Sequence, residues 1–301
     1  MQIQEKTIKD HKLSNAYLDR FSGVGRVYGV RALHSLSQAH ACVVGIGGVG
    51  SWCAEALVRS GVGRITLIDL DEICVTNINR QIHALSNTVG QSKVSIMKDR
   101  LLEISSEVIV EIKQCFYTKN TEIDLLGPVD AGQIKFNVLI DAIDHTERKA
   151  QLIEACKLRS IPVISCGAAG GRRSPHLVTC ADLSQSTHDG LLRRVKKRLK
   201  RSPHFKDQFI GSTPSQAPNN QRQKVKKHQT IWGVPAVFST EHPYYPQSDG
   251  GVCNQAPQQE SFRLDCNVGF GSLSFVTATF GFVAVSIALD IITGASSHDS
   301  K

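Results

Sequence analysis

A glycine-rich turn that begins at residue 45 constrains the fold of this chain more than any other feature. Ala41-Cys-Val-Val is a short apolar run, and Gly45-Ile-Gly-Gly-Val-Gly50 follows it directly. The next segment, residues 51–59, carries apolar residues at helical spacing. Strand, glycine turn and helix in this order predict the phosphate-binding unit of a doubly wound α/β fold.

Each glycine of this pattern has its own steric reason. Gly45 permits the tight turn, Gly47 lets the backbone approach a phosphate, and Gly50 lets helix and strand pack closely. Asp69 ends the next apolar run, where a carboxylate can accept the ribose hydroxyls of a nucleotide. The pattern alone predicts an adenine-nucleotide site and favours a dehydrogenase, with a turn that binds no ligand as the alternative.

Further strand and helix patterns alternate along the chain. Strands are predicted at 65–69, 108–112, 138–141 and 162–165, and helices at 94–104 and 147–158. This alternation predicts an α/β, Rossmann-like doubly wound parallel sheet with a C-terminal extension. We divide the chain into a helical segment (1–40), a nucleotide-binding core (41–183), a basic helix and flexible linker (184–230), and C-terminal strands and an apolar helix that complete the domain (231–301).

Positive charge is concentrated in one stretch. The whole chain has a formal net charge of +8, yet residues 191–228 alone contain twelve Lys and Arg against one acid. The remaining residues are therefore slightly acidic. Such a stretch predicts either an anionic partner or a solvated helix followed by a linker.

Cysteine spacing and apolar segments bear on location. None of the nine cysteines forms a Cys-x-x-Cys pair, which argues against a zinc ribbon and a disulfide framework and favours reduced thiols in a cytoplasm. Residues 1–11 are polar, with no apolar run behind a basic start, so we expect no secretory signal there. Residues 267–289 are apolar and long enough to span a bilayer, but their many small and hydroxylated side chains favour a buried, interface-forming helix.

The residues after Asp69 distinguish between nucleotides. Asn77-Ile-Asn-Arg80-Gln81 and Gly90-Gln-Ser-Lys93 supply two cations that we expect to be buried. A dinucleotide site has no use for them, whereas a triphosphate needs such neutralisation when pyrophosphate departs. Asp141 or Asp144, at the end of a later strand, could hold magnesium. These residues indicate ATP rather than NAD.

Together these motifs resemble the adenylating enzymes of the ThiF/MoeB/HesA type, relatives of ubiquitin-activating enzymes. Within that superfamily, Thr-Asn-Ile-Asn-Arg-Gln-Ile-His-Ala-Leu (76–85), Tyr-Pro-Gln-Ser-Asp-Gly (245–250) and Val-Thr-Ala-Thr-Phe-Gly-Phe-Val-Ala-Val-Ser (276–286) are similar to the branch that cyclises N6-threonylcarbamoyladenosine in tRNA. The similarity covers residues 15–290 and is poorest at 200–230. A ThiF/MoeB-type adenylating fold is therefore expected.

The resemblance implies a role for each matching residue. Gly45, Gly47, Gly48 and Gly50 would contact phosphates, Asp69 and Asp71 the ribose side, Asn77 and Gln81 the nucleotide, Arg80 and Lys93 the triphosphate, and Asp144 the magnesium ion. Arg26 matches an arginine that reaches into the partner subunit's site, which implies a homodimer. Arg20 is the other candidate, and a surface role for Arg26 is the alternative.

The implied reaction needs ATP, Mg²⁺ and a modified tRNA. The threonyl carboxylate would be adenylated, and a tethered nucleophile would then close a ring and release AMP. No enzyme nucleophile is required, although Cys166, Cys253 and Cys266 are candidate thiols, Cys253 the best of them, with small buried thiols as the alternative. Zinc is not expected. A structural monovalent cation and a cysteine-desulfurase or sulfur-acceptor partner are left open.

The basic stretch acquires a function in this reading. Arg193, Arg194, Lys197 and Arg198 are candidates for contact with tRNA phosphates. Three hypotheses remain at this level: a tRNA-nucleoside dehydratase, an activating enzyme for a sulfur-carrier or ubiquitin-like protein ending in Gly-Gly, and an NAD-dependent oxidoreductase or nucleotide-sensing module.

Overall fold

Helices and strands alternate along most of the chain. The computed structural model describes residues 12–129, 132, 135–205, 231–247, 249–254 and 270–295. The helices are α1 (Asn15–Tyr28), α2 (Val30–Gln38), α3 (Gly50–Arg59), α4 (Lys93–Ile104), α5 (Glu122–Leu126), α6 (Thr146–Leu158), α7 (Gly190–Leu199) and α8 (Ser274–Thr293). The strands are β1 (His40–Val44), β2 (Arg64–Ile68), β3 (Ile109–Lys113), β4 (Val138–Asp141), β5 (Val163–Cys166), β6 (Val178–Asp182), β7 (Pro235–Ser239), β8 (Tyr245–Pro246) and β9 (Val252–Cys253).

Seven of these strands form one sheet in the order β3-β2-β1-β4-β5-β7-β6. All neighbouring strands are parallel except β6 and β7, which are antiparallel. The chain runs outward from β1 through β2 to β3, and then returns to place β4 on the other side of β1. This reversal is the topological switch point at which doubly wound folds bind ligands.

Both faces of the sheet are covered. Ala41 and Val43 of β1 pack into one core with α3, α4 and α8, whereas Cys42 and Val44 pack into a second core with α5, α6 and α7. A strand buried on both sides reads as an unbroken apolar run, which is how β1 reads in the sequence. The predicted doubly wound sheet is thus confirmed, with each predicted strand shifted by one residue at most.

The N-terminal helices pack onto the outer part of the first core. Ser14 caps α1 by accepting a hydrogen bond from the backbone N–H of Tyr17. The buried Tyr17 hydroxyl in turn donates to the carbonyl oxygen of Gly61 at 2.7 Å. This bond joins α1 to the turn between α3 and β2. The predicted helical character of 1–40 is confirmed for the part that is described, and residues 1–11 lie outside it.

The strand β7 returns from beyond the basic stretch and lies between β5 and β6. The sheet therefore draws on both the predicted core (41–183) and the predicted C-terminal part (231–301). The predicted C-terminal part thus contributes the strand β7, whose position inside the sheet rests on pairing with residues far away in the sequence. Residues 206–230 of the predicted basic helix and flexible linker lie outside the described residues.

Helix α8 packs against α3 and covers one face of the sheet over β4, β5, β6 and β7. Its buried residues include Val276, Phe280 and Ala284, and Gly281 lies so close to α3 that a Cβ there would be 3.1 Å from the carbonyl oxygen of Val49. It is long and apolar enough to cross a membrane by length and composition, and half of that apolar window is buried. The packing supports the expectation of a buried helix; residues 267–269 of the predicted segment lie outside the described part.

Candidate active site

The candidate site lies where β1, β2 and β4 end, at the switch point. The turn after β1 carries the glycines, the residue after β2 is Asp69, and Asp144 follows β4. Because carboxyl ends of parallel strands meet at one edge, these residues are brought together by topology.

The glycine turn has the geometry that the pattern predicts. Gly45 has a φ of 89°, a conformation that side chains with a Cβ rarely adopt. A Cβ on Gly50 would lie 1.8 Å from the carbonyl oxygen of Gly45, so only glycine fits there. At Gly47 the nearest atom to a Cβ would be 3.9 Å away, on the Gln81 side chain. Gly47 therefore leaves room above its backbone, and α3 begins with N–H groups that can face an anion.

Asp69 ties this turn to the segment that follows β2. Its carboxylate accepts hydrogen bonds from the backbone N–H groups of Ile46, at 2.6 Å, and of Asp71, at 2.9 Å. Burial raises the pKa of Asp69, and these two bonds together with the nearby Lys93 oppose that effect. Each oxygen has a second lone pair, so the predicted ribose contact remains compatible with this role.

Lys93 is brought to the site by a short antiparallel contact. Glu72 and Ser92 form an isolated bridge, and the N–H of Lys93 donates to the carbonyl oxygen of Asp71. The Lys93 ammonium lies 2.8 Å from the Asp71 carboxylate; its side chain is 8% exposed, whereas that of Asp71 is 51% exposed. Because Asp71 is exposed, its carboxylate can turn to solvent when a phosphate enters. The phosphate can then take its place beside the buried Lys93 ammonium, whose charge stays neutralised.

Arg80 and Gln81 lie against the glycine turn. A Cβ on Gly48 would be 3.4 Å from Cγ of Arg80, and the Gln81 side chain faces Gly47. The Arg80 backbone oxygen accepts hydrogen bonds from Nε1 of Trp52 and from the Thr277 hydroxyl. Helices α3 and α8 thereby fix its position.

The guanidinium of Arg80 is held less tightly than its backbone. Its Nη1 donates to the carbonyl oxygen of Thr76 at 2.6 Å and to the side-chain oxygen of Asn79 at 3.0 Å. The residue is half-buried. The expectation of two buried cations is therefore right for Lys93 and wrong for Arg80, whose motif lies on a surface turn rather than inside a helix.

Asn77 and Gln81 are the buried amides of the motif. The Asn77 side-chain oxygen accepts from the N–H of Cys74 at 3.0 Å, which closes a 3-10 turn. The Gln81 side-chain oxygen is buried and has no hydrogen-bond partner among the described residues. Asn77 thus has a structural bond in addition to its predicted contact with the nucleotide, while Gln81 retains an unused acceptor beside Gly47.

The two aspartates after β4 have different environments. Asp141 is fully buried and forms an ion pair with the equally buried Lys149 at 3.0 Å. Burial raises the pKa of Asp141, and Lys149 opposes this effect. Asp144 is exposed, and no described side chain forms a hydrogen bond or ion pair with it. Of the two candidates for magnesium, only Asp144 presents a carboxylate that is not already neutralised.

Several predicted residues lie away from this constellation. Arg26 is exposed in the last turn of α1, so its role in a partner's site stays a prediction. Cys166 is buried. Its thiol lies within hydrogen-bond reach of Cys53, and this contact, followed by burial, raises the pKa of Cys53 well above its usual value. Cys253, in β9, accepts a hydrogen bond from the Gln247 amide at 2.9 Å. Cys266 lies outside the described residues.

Helix α7 is the predicted basic helix, and it has one apolar face and cations on two sides. Its buried residues are Leu191, Leu192, Val195 and Leu199. Arg194 donates to the Thr146 hydroxyl, and Arg198 forms an ion pair with Glu147 at 2.6 Å, so both face α6. Arg193 and Lys197 are exposed on the other side.

Sequence reasoning missed three polar residues near the site. His83 is 1% exposed with no partner for either ring nitrogen among the described residues, and burial, with help from Lys93 and Arg100, lowers its pKa to about 4. The buried Ser51 hydroxyl, at the start of α3, is also without a partner there. Lys149 was the third, although a buried Asp141 at a strand end required a cation. No described group of three His, Cys, Asp or Glu side chains is arranged to hold a metal ion.

The fold and this site define an adenylating member of the ThiF class. The family model of the ThiF family matches residues 21–301, and the chain belongs to that family. A tRNA threonylcarbamoyladenosine dehydratase of Escherichia coli (strain K12) is 42% identical over 278 residues, which is 92% of this chain and 94% of that protein. A protein of the same name from Bacillus subtilis (strain 168) is 40% identical and covers 88% of this chain and 91% of its own.

Solved structures agree with the sequence relatives. TcdA (CsdL) superposes with a TM-score of 0.77 at 40% identity, and the match covers 94% of this chain and 97% of that one. E. coli tRNA N6-threonylcarbamoyladenosine dehydratase, TcdA, in complex with ATP gives a TM-score of 0.75 at 38% identity, over 94% of this chain and 97% of that chain. The same enzyme has been solved in complex with AMP.

Proposed function

We propose that this protein catalyses the ATP-dependent dehydration of N6-threonylcarbamoyladenosine in tRNA. One observation carries the proposal: the glycine turn, Asp69, Arg80 and Lys93 lie together at the switch point of a chain that is similar to named dehydratases over nine-tenths of its length. A site with these residues can bind ATP and neutralise departing pyrophosphate, which is the chemistry that such a dehydration requires.

The reaction proceeds in two steps in which every atom is accounted for. An oxygen of the threonyl carboxylate attacks the α-phosphate of ATP, the bond to the β-phosphate breaks, and pyrophosphate leaves. A nitrogen or the oxygen of the carbamoyl group then attacks the activated carbonyl carbon, a carbamoyl N–H proton is lost to solvent, and AMP leaves with the former carboxylate oxygen. Because the nucleophile is tethered, it has a high effective molarity, and the enzyme has mainly to position it.

The site residues supply positioning and charge neutralisation. Backbone N–H groups at the start of α3, next to Gly47, face the phosphates. Lys93 and Arg80 stabilise the charge that accumulates on pyrophosphate as it departs. Asp69 accepts the ribose hydroxyls while it keeps the turn in place.

Magnesium binding at Asp144 is part of the same proposal. Magnesium in ATP sites is usually held by one or two carboxylates together with phosphate oxygens and water, and the exposed Asp144 fits that donor set. The ion would lower the charge of the triphosphate. Asp141 is excluded from this role because Lys149 already neutralises it.

Assembly and location complete the proposal. We propose a cytoplasmic homodimer in which Arg26 reaches the partner's site, and in which the exposed side of α7, with Arg193 and Lys197, contacts tRNA phosphates.

The test is AMP and pyrophosphate release from ATP and magnesium, with modified tRNA supplied or omitted. We expect release only with tRNA that carries threonylcarbamoyladenosine, and a mass loss of one water from that nucleoside, matched to AMP. The variant Lys93→Met should abolish both, whereas Lys98→Met on the same helix, a half-buried lysine outside this constellation, should not. Release of AMP only with a Gly-Gly-tailed protein would replace this proposal by the carrier-activating one.

A further inference from the structure

Arg172 is a buried cation that the nucleotide site does not use. It lies in the loop after β5, and 3% of the residue is exposed. Its Nη2 donates a hydrogen bond to the carbonyl oxygen of His188 at 2.7 Å. Its Nε and Nη1 are buried and have no acceptor among the described residues. A buried guanidinium with unused donors is strongly unfavourable, so the arrangement indicates an acceptor beyond the described residues.

The nearby carboxylates are already engaged. Asp189 caps α7 and also accepts from the N–H of Ala168 at 2.8 Å. Glu241 accepts from two backbone N–H groups of the loop itself, both at 3.0 Å. Their charges favour the protonated guanidinium, but burial acts more strongly and lowers the pKa of Arg172. Neither carboxylate forms an ion pair with it in the described part of the chain.

The loop that carries Arg172 is joined to the nucleotide site by one short segment. The N–H of Gly171 donates to the carbonyl oxygen of Gly271 at 2.7 Å. The next residue, Ser272, accepts from the side-chain amide of Asn79 at 2.7 Å. Asn79 precedes the arginine of the triphosphate motif. Adjacent carbonyl groups, of Gly271 and Ser272, therefore bind the Arg172 loop and the Asn79 loop. Both loops lie at the same edge of the sheet.

Loop segments, not strands, are bonded around Arg172. The carbonyl oxygen of Gly171 accepts from the N–H of Tyr244, and His188 has a φ of 54°, which residues with a Cβ rarely adopt. Strained non-glycine residues of this kind cluster at ligand sites. The guanidinium is therefore enclosed by loop segments rather than by strands.

We propose that Arg172 binds an oxyanion of the tRNA substrate beside the nucleotide site. The inference rests on the proposed function and adds a residue that holds the substrate. A guanidinium recognises carboxylates and phosphates through strong charge-assisted hydrogen bonds. The threonyl carboxylate and a backbone phosphate next to the modified nucleoside both have this chemistry. Either would give the unused N–H groups their acceptors.

The test compares Arg172→Gln and Arg172→Lys with a matched control, Arg173→Gln. Arg173 is the adjacent residue; it is exposed and stacks on the Tyr244 ring at 3.9 Å. We expect Arg172→Gln to raise the KM for modified tRNA by about 10- to 100-fold, the usual effect of losing a charge-assisted bond. ATP affinity should stay within about twofold, and Arg172→Lys should be intermediate. The control should match the wild type.

Thermal unfolding separates binding from a structural role. Removing an unpaired buried cation relieves its desolvation penalty, so the Tm of Arg172→Gln should equal or exceed that of the wild type. A structural arginine predicts a lower Tm and a loss of ATP affinity as well. That combined loss would overturn the proposal, and so would an unchanged KM. If Arg172→Gln does not fold, Arg172→Lys carries the same comparison.

Two ligands distinguish the source of the oxyanion. Free N6-threonylcarbamoyladenosine carries the carboxylate without phosphates, and an unmodified anticodon stem–loop carries phosphates without the carboxylate. Weaker binding of the nucleoside alone by Arg172→Gln assigns the carboxylate, and weaker binding of the stem–loop alone assigns a phosphate. Unchanged binding of both overturns the inference. A wild-type protein that does not act on modified tRNA contradicts the proposed function instead, so the two failures are distinguishable.

Discussion

Gly47 and Gly50 are separated by two residues and yet have different reasons to be glycine. Replacing Gly50 by alanine would place a Cβ 1.8 Å from a backbone oxygen that cannot move independently. We expect Gly50→Ala to lower the free energy of unfolding by more than about 2 kcal/mol. The free protein has room at Gly47, so Gly47→Ala should change stability by less than about 0.5 kcal/mol. It should nevertheless weaken ATP binding by about tenfold, because the Cβ occupies the phosphate's approach.

Urea unfolding and titration calorimetry with ATP measure the two effects. The pair serves as its own control, since each variant adds one methyl group to the same turn. Equal destabilisation by both variants would contradict the separation of roles. Unchanged ATP affinity in Gly47→Ala would show that the phosphates lie elsewhere.

Helix α7 carries a prediction at the level of a whole element, because its cations lie on two sides. Arg193 and Lys197 are exposed and one turn apart, whereas Arg194 and Arg198 contact α6. If α7 contacts tRNA, replacing the first pair by serine should reduce the slope of log Kd against log salt by about 2. Replacing the second pair should change stability slightly, since exposed ion pairs contribute less than about 1 kcal/mol.

Binding of modified tRNA at several salt concentrations measures this slope for both double variants. The α6-facing pair is the matched control, with the same charge removed from the same helix. A slope that matches the wild type in the variant of Arg193 and Lys197 would exclude this face as a phosphate-contacting surface. Equal reductions in both variants would point to net charge rather than to a face.

Elements with local patterns were predictable from the sequence, and those that depend on distant pairing were not. The apolar spacing in α7 and the strand–glycine–helix order at Gly45 are local, so the helix and the turn were correctly predicted. The place of β7 between β5 and β6 depends on partners that are remote in the sequence. Likewise Arg172 is a single arginine in a loop, and only its enclosure by three other loop segments distinguishes it.

Apolar side chains remain exposed on the molecule as a whole. Val27 and Val30, where α1 meets α2, are 80% and 68% exposed, and Phe275 and Phe282 of α8 are about half exposed. Exposed apolar surface of this kind is typical of association sites. It supports the proposed homodimer, since Arg26 lies beside Val27, on the surface that a second copy would cover.

Mixed dimers test whether Arg26 acts in the partner's site. Arg26→Ala and Lys93→Ala should each be inactive as homodimers. In a mixed dimer, the subunit with an intact Lys93 would receive an intact Arg26 from its partner. We therefore expect about half of wild-type activity, because one of the two symmetric sites is complete. Co-expression with two affinity tags and tandem purification isolates the mixed species.

The control is a mixed dimer of Arg80→Ala and Lys93→Ala, which we propose to act in the same subunit. It should stay inactive, because each of its two sites lacks one cation. An inactive dimer of Arg26→Ala with Lys93→Ala would place Arg26 in its own subunit's site. Full activity of Arg26→Ala alone would make it a surface residue, and a monomer by light scattering would contradict the dimer itself. The exposed apolar side chains of α1 and α8 predict association whether or not Arg26 enters the partner's site. A dimer by light scattering would therefore support the apolar surface as an association site even if Arg26→Ala is fully active.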